Sequence, residues 1–159
     1  MDMDKTLMDE ILQLLSKIKF IKSSRRKDIN NNQAPLSMIM GYRQWFGDKG
    51  LSAASKKYPV LYDKICKLMT DYDPDFEFTT ITLNKNFKCE PHKDGKNIGE
   101  SFIIGLGDYV GGGELNVEGE KIDIKNKFYK FNGSEKIHFV EPWTHGDRYS
   151  LVFYKRMKR

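Results

Sequence analysis

The chain has 159 residues, 39% of them hydrophobic and 31% charged, a composition ordinary for one globular domain around one core. Its longest apolar stretches, such as Phe102 to Leu106, fall far short of the ~18 residues that a membrane-spanning helix needs. Two cysteines, Cys66 and Cys89, exclude a disulfide framework. The 27 basic and 22 acidic residues leave a net charge of +5, which suits DNA or another nucleic acid as a partner and equally suits a solvated lysine-rich surface. The start, Met1-Asp-Met-Asp4, is acidic where a secretory leader is basic. These features predict a soluble intracellular protein of the cytoplasm or nucleus. A single domain is expected over 1–159, with a helical part over 1–75 and a β core over 76–159.

From Asp4 to Phe20, Leu7, Ile11, Leu14, Leu15 and Ile18 form one stripe at helical spacing, and Asp4 is placed to cap it. Lys22 to Leu36 has no periodicity and reads as a loop, either a solvated connector or an arm that contacts phosphates. Pro59 suits the first turn of a second helix reaching Tyr72, with Val60, Leu61, Ile65, Leu68 and Met69 inward, and Asp73-Pro74 stops it. Beyond Phe76 the period becomes two. Strands are expected over Phe76–Asn84, Ser101–Leu106, Glu114–Val117, Lys121–Ile124, Phe128–Phe131, Ile137–Val140 and Arg148–Tyr154. Turn residues separate them at Gly111-Gly112-Gly113, Glu118-Gly119, Asn132-Gly133 and Gly146-Asp147. Many short strands predict a sandwich or barrel, here buttressed by two helices.

The three histidines are His92, His138 and His145. On an extended segment His92 and Asp94 point to the same side. Joined by His138 from a later strand, they make the two-histidine, one-carboxylate set that leaves one face of a ferrous ion open. His145 sits in a turn-like Thr-His-Gly-Asp and is less well placed. A lone His-x-Asp also occurs at exposed turns. Further along, Arg148 and Ser150 share a strand face and offer a guanidinium fork and a hydroxyl to a carboxylate; a surface ion pair is the plainer role for Arg148.

Several runs in order carry a family resemblance. They are Thr79-Thr-Ile-Thr-Leu-Asn84, Cys89-Glu-Pro-His92-Lys-Asp94, Asn97-Ile-Gly-Glu-Ser101, Gly107-Asp-Tyr-Val-Gly-Gly-Gly-Glu-Leu115, Phe131-Asn-Gly-Ser134 and Gly146-Asp-Arg148-Tyr-Ser150. Over about Thr79 to Tyr154 the sequence resembles the Fe(II)/2-oxoglutarate oxygenases, and among them the TET/JBP branch, which oxidises the 5-methyl group of pyrimidines in DNA. The resemblance implies a double-stranded β-helix, a jelly-roll barrel, and an oxygenase using Fe(II), 2-oxoglutarate and O2. It implies that His92, Asp94 and His138 are the metal ligands and that Arg148 binds the distal carboxylate of 2-oxoglutarate, with Ser150 beside it. Asn97, three residues after Asp94, falls where base-oxidising members contact a flipped base. The chain departs from the branch at Arg156, where some members carry a base-contacting histidine.

Other residues have two readings each. Asn84 lies on the polar face of its strand with Thr80 and Thr82, as a 2-oxoglutarate contact or a satisfied core amide. Trp143 stacks on a base, covers the site rim, or simply packs. Cys89 reads as a small buried hydrophobe rather than a ligand. As whole-protein alternatives, the same barrel serves a protein side-chain hydroxylase of prolyl or lysyl type, an inactive nucleic-acid binding module, or a metal-binding cupin without co-substrate.

Overall fold

The computed structural model describes residues 5–20, 36–42, 50–95 and 97–156. The first apolar stripe forms α1, Lys5–Ser16, burying Leu7, Met8, Ile11 and Leu15. The proposed Asp4 cap lies outside the described residues, as does the loop expected from Lys22 up to residue 35. Leu36 departs from that expectation because it opens a strand, β1, Leu36–Gly41. The first half is therefore not wholly helical. Ser37 and Met40 are buried in β1, but a six-residue strand with two methionines and a serine shows too little alternation to be read from sequence.

A short helix absent from the sequence reading, α2, Ala53–Lys57, fastens to this strand. Ser52 caps it, accepting from the Ser55 N–H at 3.3 Å and donating to the Ile39 carbonyl at 2.8 Å. Ser55 Oγ in turn accepts from the Gly41 N–H at 2.8 Å. Helix α3, Pro59–Tyr72, has the expected bounds, with proline in its first turn. It buries Leu61, Ile65, Leu68 and Met69. Val60, expected inward, is 58% exposed, because the i, i+4, i+7 stripe that starts at Leu61 leaves its neighbour about 100° off the buried face.

The β core follows: β2 Thr80–Lys85, β3 Asn97–Gly107, β4 Leu115–Val117, β5 Glu120–Ile122, β6 Tyr129–Phe131, β7 His138–Val140 and β8 Arg148–Arg156. Phe76 and Phe78, expected to open β2, precede it instead and pack edge-on against Phe102 and Phe153 with ring centroids 4.8 and 5.4 Å apart. The strands form two antiparallel sheets, β1-β2-β8-β3-β6 and β5-β4-β7. The sheets face each other across Ile103, Leu115, Val117, Ile124 and Phe131. Gly105 fastens the segment between β5 and β6 to the larger sheet, donating to the Ile124 carbonyl at 2.8 Å and accepting from the Asn126 N–H at 2.7 Å. The larger core lies on the other face of the five-stranded sheet, where α1 and α3 cover Met40, Ile81, Leu83, Ile104, Leu151 and Phe153. This is the expected jelly-roll plan buttressed by helices, built as two facing sheets.

Alternation then assigns the inner face. With Ile81, Leu83, Leu151 and Phe153 turned to the helices, Thr80, Thr82, Asn84, Arg148 and Ser150 turn toward the second sheet.

Candidate active site

His92 and Asp94 lie on the extended segment between β2 and β3, and His138 opens β7. An isolated antiparallel bridge joins the two histidines, each backbone N–H donating to the other's carbonyl at 3.0 Å. Asp94 is pinned from the β6–β7 turn, its N–H donating to the Gly133 carbonyl at 2.8 Å. One ligand atom from each of the three side chains lies within 4.8 Å of the others, and among the described residues this is the group able to hold a metal ion. The Nε2 atoms of His92 and His138 stand 3.5 and 3.4 Å from the two Asp94 oxygens.

Both rings are oriented from behind. Nδ1 of His92 donates to the Glu90 carbonyl at 2.8 Å, and Nδ1 of His138 donates to the Lys136 carbonyl at 2.9 Å. Each partner is two residues upstream, so the same local geometry occurs twice. With Nδ1 fixed as a donor, Nε2 is the nitrogen turned to Asp94 and the one a metal would take. Phe131 packs edge-on to His138 with centroids 5.0 Å apart. A Cβ on Gly133 would lie 2.5 Å from Asp94 Oδ2, so the turn glycine makes room for the carboxylate.

Without a metal ion, His92 and Asp94 bear the electrostatics of the cluster. Burial opposes a charge on His92, but the Asp94 carboxylate and the Cys89 side chain outweigh it and push the imidazole up to about 10. Burial likewise opposes ionisation of Asp94, yet His138 and His92 hold its carboxyl well below the usual carboxylate range. Such a clustered donor set fits a divalent cation, which would replace the proton on His92.

At the start of β8, Arg148 is 1% exposed, a charged side chain with almost no access to water. Its Nε donates to the Gly113 carbonyl at 2.9 Å, and its guanidinium carbon lies 5.5 Å from the Tyr109 ring centre and 5.9 Å from that of Trp143. Nη2 is buried and has no hydrogen-bond partner. Burial presses the guanidinium toward losing its proton, opposed mainly by Tyr109 and Cys89. An unpaired buried guanidinium nitrogen is costly, and an incoming carboxylate is the group that matches it. Arg148 turns toward the second sheet, and His138, paired there with inward-facing Val117, turns toward the first, so the arginine and the metal-competent group face the same space between the sheets.

Ser150 stands opposite Asn84 on one side and Gly105 on the other, and the Asn84 amide donates to Ser150 Oγ at 3.3 Å. Both are buried, as is Ser101, whose Oγ has no partner. Trp143 is held with its indole N–H on the Gly146 carbonyl at 3.0 Å, between Arg148 and Lys88, whose Nζ is 5.1 Å from the ring centre. Its place is beside the arginine. Asn97 opens β3 directly opposite Arg156 of β8, and its side chain lies outside the described residues. Cys89 is buried and takes no place in the metal-competent group, in keeping with its reading as a small hydrophobe. His145 is exposed, its Nδ1 3.1 Å from Thr144 Oγ1.

Sequence reasoning missed Tyr109, Gly113 and Gly133 as parts of the site. The run Gly111-Gly112-Gly113 is the available signal. All three adopt positive φ; side chains on Gly111 and Gly112 would collide with Pro142 to Thr144, and one on Gly113 with the Tyr109 ring.

No protein-family model matches the sequence, and no curated protein matches it. Solved structures do match. NgTET1 in complex with 5mC DNA shares 16% identity at a TM-score of 0.65, over 97% of this chain and 69% of that one. An oxidoreductase of the 2OG-Fe(II) oxygenase family from Burkholderia pseudomallei gives 14% identity and a TM-score of 0.65, over 98% and 83%. The viral collagen prolyl hydroxylase of Paramecium bursaria Chlorella virus-1, in its 2OG complex, gives 14% and 0.52, over 98% and 92%. The fold of this chain is the jelly-roll fold of the 2OG-Fe(II) oxygenases.

Proposed function

We propose that the protein is an Fe(II)- and 2-oxoglutarate-dependent dioxygenase that oxidises a C–H bond, with O2 as oxidant. One observation carries the reading. A buried arginine with an unpaired Nη2 faces the same space between the sheets as two histidines whose Nε2 atoms are turned onto one carboxylate. Fe(II) with 2-oxoglutarate supplies the oxidising power when bound, through coupled decarboxylation of the keto acid.

The chain's own part is binding and orientation. His92, Asp94 and His138 would hold the metal through two imidazole nitrogens and a carboxylate oxygen, a donor set that leaves the metal able to take further ligands. The Glu90 and Lys136 carbonyls hold each Nδ1 as a donor, so Nε2 is the nitrogen that each imidazole would offer the metal. Arg148, nearly dry, binds the distal carboxylate of 2-oxoglutarate, and Ser150 and Asn84 line the same strand face beside it. Trp143 and Tyr109 close over the guanidinium and exclude water, which strengthens the charge pair.

For the substrate, the reading is the 5-methyl group of 5-methylcytosine or thymine in DNA. The residue order shared with the TET/JBP branch supports it, as does the fold likeness to a protein solved with 5mC DNA. A duplex base must be flipped out, at a cost of a few kcal/mol, before it reaches the metal. Asn97, an amide that donates and accepts, is the residue assigned to the base edge, and the cross-strand neighbour Arg156 to phosphate. The likeness to a collagen prolyl hydroxylase gives the protein side chain as second reading. The test is incubation with Fe(II), 2-oxoglutarate and either methylated DNA or a proline-rich peptide, followed by mass spectrometry. Hydroxymethylated nucleosides support the DNA reading. An unmodified DNA beside a hydroxylated peptide replaces it with the second.

A further inference from the structure

β8 begins at Arg148, and both strands that flank β8 in the sheet reach past their own ends to grip that start. From β2 comes Asn86. Its backbone N–H donates to the Arg148 carbonyl at 2.7 Å, and its side-chain Oδ1 accepts from the Arg148 N–H, also at 2.7 Å. Its Nδ2 then donates to Asp147 Oδ1 at 3.0 Å. From β3 comes Asp108, whose Oδ1 accepts from the Asp147 N–H at 2.8 Å. Asn86 takes φ +52°, a conformation rare for most side chains and tolerated by asparagine and glycine. One asparagine thus satisfies both backbone groups of the residue whose side chain points into the site.

We infer that Asn86 is a positioning residue for Arg148, fixing where the guanidinium meets the distal carboxylate of 2-oxoglutarate. The inference rests on the co-substrate reading of Arg148. The guanidinium is already confined by Gly113 and two rings, so its place is set by where β8 starts. A shift of that start moves the free Nη2 away from a ligand held at the other end by the metal group. Displacements of about 1 Å are costly in such a site.

The experiment is calorimetric titration of 2-oxoglutarate into the metal-loaded protein without oxygen, alongside steady-state kinetics. Asn86→Gly keeps the backbone conformation and removes the side-chain clamp. It is expected to weaken 2-oxoglutarate binding about tenfold and raise its KM in step, with metal affinity and kcat unchanged. The double variant Asn86→Asp/Asp147→Asn exchanges donor and acceptor while keeping the net charge, so it restores the affinity. Wild-type affinity in Asn86→Gly overturns the inference, and so does a parallel loss of metal binding, which marks a merely structural role. Failure of the wild type itself to bind 2-oxoglutarate overturns the co-substrate reading and the inference with it.

Discussion

His92 and His138 exchange both of their backbone hydrogen bonds across one isolated bridge, and their ring centroids stand 4.4 Å apart. Forty-five residues separate them in the chain, so the bridge converts a distant pair into a local one, and the Gly133 carbonyl holds Asp94, two residues past His92, beside it. Removing the carboxylate from this arrangement should be decisive. Asp94→Ala is expected to lose more metal affinity than the ~10–100-fold that deletion of an outer hydrogen-bond partner costs. Metal titration monitored by calorimetry checks this, and wild-type affinity would remove Asp94 from the ligand set.

The pH dependence follows from His92 and Asp94. His92, raised from its usual 6.5 to about 10, gives the metal-free protein stability that is fully present below pH 6.5 and is lost as pH climbs toward 10. Asp94, held below its usual 3.8, contributes stability present above that pH and lost as acid protonates it. A metal ion needs the neutral imidazole, so its binding releases a proton and its affinity rises about tenfold per pH unit across the neutral range. The difference in Tm between metal-loaded and metal-free protein should therefore grow from pH 6 to pH 8. A difference independent of pH contradicts the assignment.

Arg148 sets function against stability. Arg148→Met removes a buried charge whose Nη2 is unpaired, which relieves the molecule, and orphans the Gly113 carbonyl, which costs about as much. Unfolding in urea should place the variant within about 1 kcal/mol of the wild type. Its 2-oxoglutarate affinity should fall at least ~100-fold, since a broken buried charge pair is worth ~3–5 kcal/mol. A variant that unfolds easily yet binds 2-oxoglutarate would show Arg148 to be structural.

Gly133→Ala tests the fit around the carboxylate. The added methyl lands 2.5 Å from Asp94 Oδ2 and 3.3 Å from the Phe131 ring, so Asp94 must turn away. Metal affinity is expected to drop roughly tenfold or more while circular dichroism stays that of the wild type. Unchanged affinity would mean that Asp94 has room to spare.

The metal-competent set was legible because strand alternation and a His-x-Asp spacing leave few ways to arrange three ligands, and His92, Asp94 and His138 do converge. Arg148 and Ser150 were legible by the same alternation, and so was the inward turn of Asn84. The bounds of α3 followed from Pro59 and Asp73. Strand β1 was not legible, since its partners in β2 lie 39 to 49 positions away and its own pattern is irregular. The setting of Trp143 and Tyr109 around Arg148 was also hidden. It depends on the three consecutive glycines that let one loop press against another, a contact no local period encodes. Asn86 escaped notice for a similar reason, being a single αL residue whose partners lie 61 and 62 positions away.

The central claim concerns the reaction, and mass-spectrometric detection of succinate formed from 2-oxoglutarate tests it most directly. Purified protein with Fe(II), ascorbate and oxygen should produce succinate, with Asp94→Ala as the blank and methylated DNA raising the rate in the wild type. Succinate no higher in the wild type than in Asp94→Ala, with DNA or without it, would contradict the account.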